Sequence, residues 1–349
     1  MGNPDASPVA DPVLGDVAGR PPSMQDVARL AGVSHQTVSR VLNNKDTVKG
    51  ATRNRVLAAM RELGYRPNIA ARALVTGRSR LLGVVSLDST LFGPASTLYE
   101  IERATRDAGY FLSIASIRSL DRSSVEAAVG HLMSQAVEGI VIIAPLLSAH
   151  RALDGLPKGL PVVVVEGEHD VARATVSVDQ EEGGRLATGH LLGRGHRTVW
   201  HVAGPSDWTE ARGRTAGWRA ALAAAGAEAP PPLSGDWSPR SGYEAGRILA
   251  RVPEVTAVFV ANDQMSLGVL RALHEHGRRV PEEISIVGFD DISEAAYFTP
   301  PLTTVRQDFG AVGRRSLQLL VEQISSGRIT ADRYVVPPEL KLRDSTADA

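Results

Sequence analysis

The sequence predicts a small all-α helix-turn-helix headpiece followed by an α/β core of two doubly wound subdomains. Three observations predict it. Three short, capped helical stretches lie within residues 23–63. From Leu81 onward, β-rich apolar runs alternate with amphipathic stretches. The charge divides in the same way: residues 23–80 hold eleven Lys and Arg against Asp26, Asp46 and Glu62, about +8, whereas the whole chain of 349 residues carries −1. A basic module on an acidic body suits a polyanionic partner.

The first 22 residues are rich in Pro, Gly, Ala and Asp and lack the charged start and apolar core of a signal peptide, so a disordered leader is expected. Ser23 is a good N-cap for a helix over Met24–Ala31, which Gly32 breaks. Ser34 caps the next helix, His35 to Asn43, with the sequence "HQTVSRVLN". Val38, Val41 and Leu42 fall on one stripe; His35, Gln36, Ser39, Arg40 and Asn43 fall on the opposite face, which has hydrogen-bonding groups and no acid. Such a face suits a phosphate-rich groove. Residues 44–50 read as a loop, and Ala51 to Leu63 as a third helix with Val56, Leu57, Met60 and Leu63 inward, ended by Gly64. A domain over 23–66 is therefore expected. Pro67 and Gly77 bracket a further helix of roughly two turns, too short to be stable alone, so 67–79 reads as a hinge helix and linker.

Residues 80–349 form the expected core. Its strand signals are "LLGVVSL", "YFLSIAS", "GIVIIAP", "LPVVVVE", "TVSVD", "TVWHVAG", "TAVFVAND" and "ISIVGFDD", separated by helical stretches such as 94–108, 123–135 and 181–193. Near-continuous apolar strands between amphipathic helices predict parallel sheets covered on both faces. Ligands of such sheets bind beyond the carboxyl ends of the strands. Asn262 and Asp263 follow one strand there, and Asp290 and Asp291 follow another. Asp263 reads as a helix N-cap and Asp290 as functional, with Trp237, Phe289 and Phe309 as candidates for an aromatic face against a sugar ring. Of Arg212 and Arg214, near a helix start, the first reads as a surface residue and the second as directed into a cleft.

The absence of cysteine excludes disulfides, thiol nucleophiles and cysteine metal sites. No apolar run is long enough for a transmembrane helix, and a cytoplasmic protein is expected. No phosphate-binding loop, serine elbow or zinc helix signature occurs, so neither an enzyme nor a cofactor is expected. "HEH" at His274–His276 reads as a solvated helix end rather than a metal site. The rival readings are a periplasmic sugar-binding protein and a sugar-metabolising enzyme fused to a DNA-binding module.

"MQDVARLAGVSHQTVSRVLNN", "LGYRPNIAARAL", "ARGRTAGW", "GDWSPRSGY", "VANDQMSLGVLRAL", "ISIVGFDD" and "PPLTTVRQDF" resemble, in order, motifs of the LacI/GalR family of bacterial repressors. The resemblance spans roughly residues 23–343. It implies a core with the periplasmic-binding-protein fold, its subdomains near 80–179 with 307–336 and 180–306 with 337–343. It implies that His35, Gln36 and Arg40 read bases, where a relative has tyrosine at the His35 position, and that Ser34, Thr37, Ser39, Asn43, Thr52 and Asn68 hold the DNA backbone. Leu74 would wedge into the minor groove, with Ala70 and Ala71 permitting two hinge helices to approach. Effector contacts implied are Arg214, Trp237, Asn262, Asp290, Gln307 and Phe309, with Leu91, Phe92 and Pro94 on the opposite wall. That set resembles sugar-binding members more than purine-binding ones and implies a mono- or disaccharide, galactoside-like effector. Leu87, Asp88, Ile143 and Glu166 depart from the pattern. The tail "LKLRDSTADA" carries no leucine heptad, so a homodimer on a pseudopalindromic operator is expected.

Overall fold

The computed structural model describes residues 20–42, 48–66, 78–88, 90–166 and 172–349. The chain divides into two compact units, 1–79 and 80–349.

In the first unit, α1 (Met24–Ala31), α2 (His35–Leu42) and α3 (Gly50–Glu62) enclose a small core. Ser23 caps α1 reciprocally with Asp26: the Ser23 hydroxyl accepts from the Asp26 amide, and the Ser23 amide donates to the Asp26 carboxylate at 2.9 Å. Gly32 ends α1 at φ 60°, a left-handed turn that costs glycine nothing. Val27, Ala28, Ala31, Val38, Val41, Val56 and Ala59 are buried together, with Leu42, Met60 and Leu63 against them. The structure corrects one inward assignment: Leu57 is 40% exposed. Val56, Ala59, Met60 and Leu63 make the buried stripe, and Leu57 lies about 100° away from Val56 around the helix.

In the second unit, the first sheet runs β11-β5-β4-β3-β1-β2, all parallel. Its strands are β1 (Leu81–Leu87), β2 (Phe111–Ile117), β3 (Gly139–Ile143), β4 (Val162–Val165), β5 (Ala174–Val178) and β11 (Arg333–Val336). The helices α4 (Phe92–Asp107), α5 (Arg122–Ser134), α6 (Ala149–Leu153) and α11 (Phe309–Ser326) accompany it. The second sheet runs β12-β10-β9-β8-β6-β7, with β12 antiparallel to β10. It comprises β6 (Trp200–Ala203), β7 (Leu233–Ser234), β8 (Ala257–Val260), β9 (Ser285–Asp290), β10 (Thr303–Arg306) and β12 (Glu339–Lys341), with α7 (Gln180–Gly193), α8 (Thr209–Ala224), α9 (Pro239–Leu249) and α10 (Asp263–Glu275). Apart from the late strands β11 and β12, both halves have the doubly wound order 2-1-3-4-5. β3, β4, β5 and β8 are buried at every position, as continuous apolar runs require between two helix layers.

The chain passes between the sheets three times: after β5 at Asp179–Gln180, after β10 at Gln307–Asp308, and between β11 and β12 at Pro337. These passages place the strand ends of both sheets around one cleft. The helix pairs that frame it pack through glycine. A Cβ at Gly217 would meet the Glu181 carbonyl oxygen, and one at Gly184 would meet that of Arg214. Close backbone approach of α7 and α8 thus fixes where Arg214 sits. Gly217→Ala is expected to destabilise the protein by about 1–3 kcal/mol, read as a lower midpoint in urea unfolding.

Candidate functional site

The candidate residues fall into two groups, one in each unit. On α2, His35, Gln36 and Arg40 are exposed, and Thr37 and Ser39 are half-buried at the flank. Val38 and Val41 anchor the opposite side of the helix in the core. Ser34 begins the helix: its Oγ accepts from the Thr37 amide at 3.2 Å and lies 2.9 Å from the Thr37 hydroxyl. Thr52 is half-buried in the first turn of α3. Asn43, Asn68, Leu74, Ala70 and Ala71 lie outside the described residues.

In the second unit, a cavity of about 240 Å³ is walled by Leu91, Phe92 and Pro94 on one side and by Trp208, Trp237, Asn262 and Asp290 on the other. A smaller recess of about 20 Å³ continues from it past Arg214 to Gln307 and Phe309. The walls are thus segments that follow the carboxyl ends of strands in both sheets. Leu91, Pro94, Arg214, Trp237, Asn262, Asp290, Gln307 and Phe309 are brought together here. Phe309 meets Phe92 edge-on at 5.9 Å, and Trp208 meets Trp237 edge-on at 5.7 Å.

Arg214 is 4% exposed and sits at the centre of a closed ring of polar contacts. Its Nε donates to Gln180 Oε1 at 2.9 Å, Gln180 Nε2 donates to Gln307 Oε1 at 2.8 Å, and Gln307 Nε2 donates to Asp290 Oδ1 at 2.7 Å. Asp290 Oδ1 closes the ring 3.4 Å from the guanidinium. Another guanidinium N–H donates to the Ala261 carbonyl. Two of the three passages between sheets, at Gln180 and Gln307, are therefore tied directly to the cavity wall.

Two sequence assignments change. Phe289 is not an open aromatic face: it is wholly buried, with its ring 3.8 Å beneath the Arg214 guanidinium. Successive strand residues point to opposite faces, so Asp290 and Phe289 are separated by the pleat. Asp263 is not the N-cap of α10. Asn262 caps it, its Oδ1 accepting from the Met265 amide at 2.9 Å, while its Nδ2 donates to the Trp237 carbonyl at 3.1 Å. Asp263 is instead fully buried, accepting from Thr304 Oγ1 at 2.6 Å and the Ile292 amide at 3.0 Å, and so joins α10 to β10 and to the turn after β9. Asn262 serves both helix and cavity.

The sequence reading missed Gln180, Trp208 and Glu210. Glu210 lines the cavity, and Glu166 lines the deeper recess beside it. Both are buried, at 8% and 7% exposure. Burial pushes the Glu166 carboxyl up; burial and then the neighbouring Glu166 charge push Glu210 up. Burial also raises Asp290 to about 6, against the opposing pull of Arg214. Glu166, Trp237 and Asp290 all have positive φ, 60°, 72° and 108°. Non-glycine residues rarely adopt such values, and in folded proteins they concentrate at ligand sites.

The chain is similar to known proteins over most of its length. Residues 23–68 match the bacterial regulatory proteins, lacI family, and residues 188–346 match the periplasmic binding protein-like domain. The lactose operon repressor of Escherichia coli (strain K12) is 35% identical over 329 residues, covering 94% of this chain and 91% of that protein. The chain belongs to the lacI family. Another member, the HTH-type transcriptional regulator CelR of Thermobifida fusca, is 39% identical over 342 residues, covering 93% of this chain and 98% of that one. Among solved structures, the lac repressor dimer bound to operator and the anti-inducer ONPF superposes with a TM-score of 0.83 at 33% identity, covering 94% and 100% of the two chains. A CelR–cellobiose complex gives 0.68 at 34% identity, covering 93% and 99%. As a lacI-family member, the chain is a transcriptional regulator with a helix-turn-helix DNA-binding unit and a two-subdomain periplasmic-binding-like core. Among the described residues, no helix is long and apolar enough to cross a membrane.

The raised acids have a consequence for stability. An acid whose carboxyl is raised in the folded state holds its proton more tightly folded than unfolded. Stability is then lost as pH rises from the ordinary carboxylate range through the raised value. Glu210→Gln keeps the shape and removes one such acid. Its thermal midpoint is expected to exceed that of the parent protein by a few degrees in mildly alkaline buffer and to fall less steeply with rising pH.

Proposed function

We propose that the protein is a dimeric, cytoplasmic, non-enzymatic repressor that binds a pseudopalindromic operator through two headpieces and is released from it by a mono- or disaccharide held in the core cavity. The observation that carries this reading is the cavity itself. Carboxylate, amide and guanidinium groups converge opposite apolar and aromatic walls, which is the chemistry that grips sugar hydroxyls while covering the ring. The relatives support it: the lac repressor dimer has been solved bound to operator and ONPF, and CelR in complex with cellobiose.

On the DNA side, His35, Gln36 and Arg40 read base edges; arginine can pair bidentately with guanine and glutamine with adenine. Ser34, Thr37, Ser39, Asn43, Thr52 and Asn68 hold phosphates and set register. Leu74 enters the minor groove from the hinge segment. Two headpieces on a two-fold operator need a dimer. The core exposes large apolar side chains suited to such a contact, including Tyr99 on α4 and Phe111 and Ile114 on the edge strand β2.

In the core, Asp290, Asn262 and Arg214 bind effector hydroxyls, Trp237 and Phe309 cover its ring, and Gln307 holds Asp290. Leu91 and Pro94 close the opposite wall. Effector and operator oppose each other through one coupling free energy, so each weakens the other by the same factor. Arg40→Ala is expected to weaken specific DNA binding by about 1–3 kcal/mol without changing effector affinity; unchanged affinity in an anisotropy titration removes Arg40 from the readers. Asp290→Ala is expected to retain DNA binding and lose effector response, and a normal response in the same titration removes Asp290 from the site.

A further inference from the structure

The effector cavity has an unusual charge balance. Glu166, Glu210 and Asp290 are all buried around it, each under a tenth exposed, and Arg214 is the basic group whose field reaches all three. Arg214 is already taken up by Asp290, Gln180 and the Ala261 carbonyl. On the far side of the glutamates, Arg185 is paired with Glu182, and Arg212 and Arg333 line the same recess as exposed, solvent-screened side chains.

The hydrogen-bond donors that reach the two glutamates are neutral groups. Glu166 Oε1 accepts from the Val178 amide at 3.2 Å, and the Gln180 side chain also donates to the Glu166 carboxyl. Glu210 Oε2 lies 3.0 Å from the Thr209 hydroxyl, but that hydroxyl's single proton also faces the Pro145 carbonyl at 3.0 Å and the Glu166 carbonyl at 2.9 Å. Three buried carboxyl groups beside one buried guanidinium are costly as anions unless a proton or a further cation neutralises them. A neutral sugar brings no charge to do so.

Another group on the same wall has the opposite need. The Trp237 indole N–H is buried and has no acceptor among the described residues. Trp208, Trp237 and Phe92 add aromatic surface beside the acids, and aromatic surface attracts cations as well as sugar C–H faces.

We propose that Glu166 and Glu210 form a cation subsite within the effector cavity, and that the effector is an amino sugar, a mono- or disaccharide bearing a primary ammonium group. The inference rests on the reading of this cavity as the effector site. An amino sugar meets each need at once. Its ammonium supplies charge and up to three donors to the glutamates, a hydroxyl oxygen accepts from Trp237, and its ring lies against the apolar walls. Glu210 is the specificity-determining residue, because it lines the open cavity as well as the recess.

Calorimetric titration of the full-length protein at neutral pH tests this with matched pairs: glucosamine with glucose, galactosamine with galactose, and the β-1,4-linked glucosamine disaccharide with cellobiose. In at least one pair the amine is expected to bind about tenfold or more tightly than its neutral parent, the scale of one charge-assisted hydrogen bond. N-acetylation is expected to abolish that advantage, and Glu210→Gln to reduce it to about twofold or less. If no amino sugar binds, or if the neutral parent equals or exceeds the amine in every pair, the proposal is overturned; the unmodified protein decides this even where the variant fails to fold. The two readings fail distinguishably. A neutral sugar that binds the parent protein and is lost in Asp290→Ala keeps the effector site and removes the amine, whereas no binding by any compound removes both.

Discussion

The ring of three hydrogen bonds and one ion pair through Arg214, Gln180, Gln307 and Asp290 is the constraint on which the core depends. A guanidinium at 4% exposure is tolerable only when its donors are satisfied. Here the satisfying groups come from the chain passages between the two sheets and from the end of β9. The cavity cannot rearrange its polar wall without disturbing the segments that join the two subdomains. A ligand that competes for Asp290 or Arg214 therefore acts directly on the passages, with no relay through the hydrophobic interior.

The scaffold serves that ring. Glycines at 184 and 217 let α7 and α8 approach backbone to backbone, which places Arg214 within reach of Gln180. Phe289, fully buried, gives the guanidinium an aromatic floor. Asp263 ties α10 to β10 and to the turn after β9, holding Asn262 at the helix start and Asp290 at the strand end in fixed relation. The headpiece shows the same economy on a smaller scale: with its valines buried, α2 leaves His35, Gln36 and Arg40 exposed.

Much of this was legible in the sequence, for identifiable reasons. Long apolar runs gave the buried strands, and Ser23, Gly32 and Ser34 marked the headpiece helices. The short strands β7, β10, β11 and β12 did not stand out, because polar residues interrupt them and they have no apolar run of their own. Asn262 and Asp263 are adjacent and equally able to cap a helix, so one residue of register decided which faced the cavity. Gln180 and Glu210 begin helices, where polar residues are ordinary. Only the three passages between sheets, which no local pattern encodes, bring them to the cavity. Phe289 offered a usable signal: strand alternation alone separates it from Asp290.

The central claim is that the ring through Gln180 carries the message from the cavity to the rest of the protein. It is tested most directly by measuring DNA affinity with and without saturating effector in Gln180→Leu, using a site selected from random sequence by the parent protein. The account predicts that the effector still binds, while its influence on DNA affinity, ordinarily about 5–150-fold in coupled systems, shrinks to about twofold or less. A Gln180→Leu protein that shows the parent's full effector-induced change would contradict it.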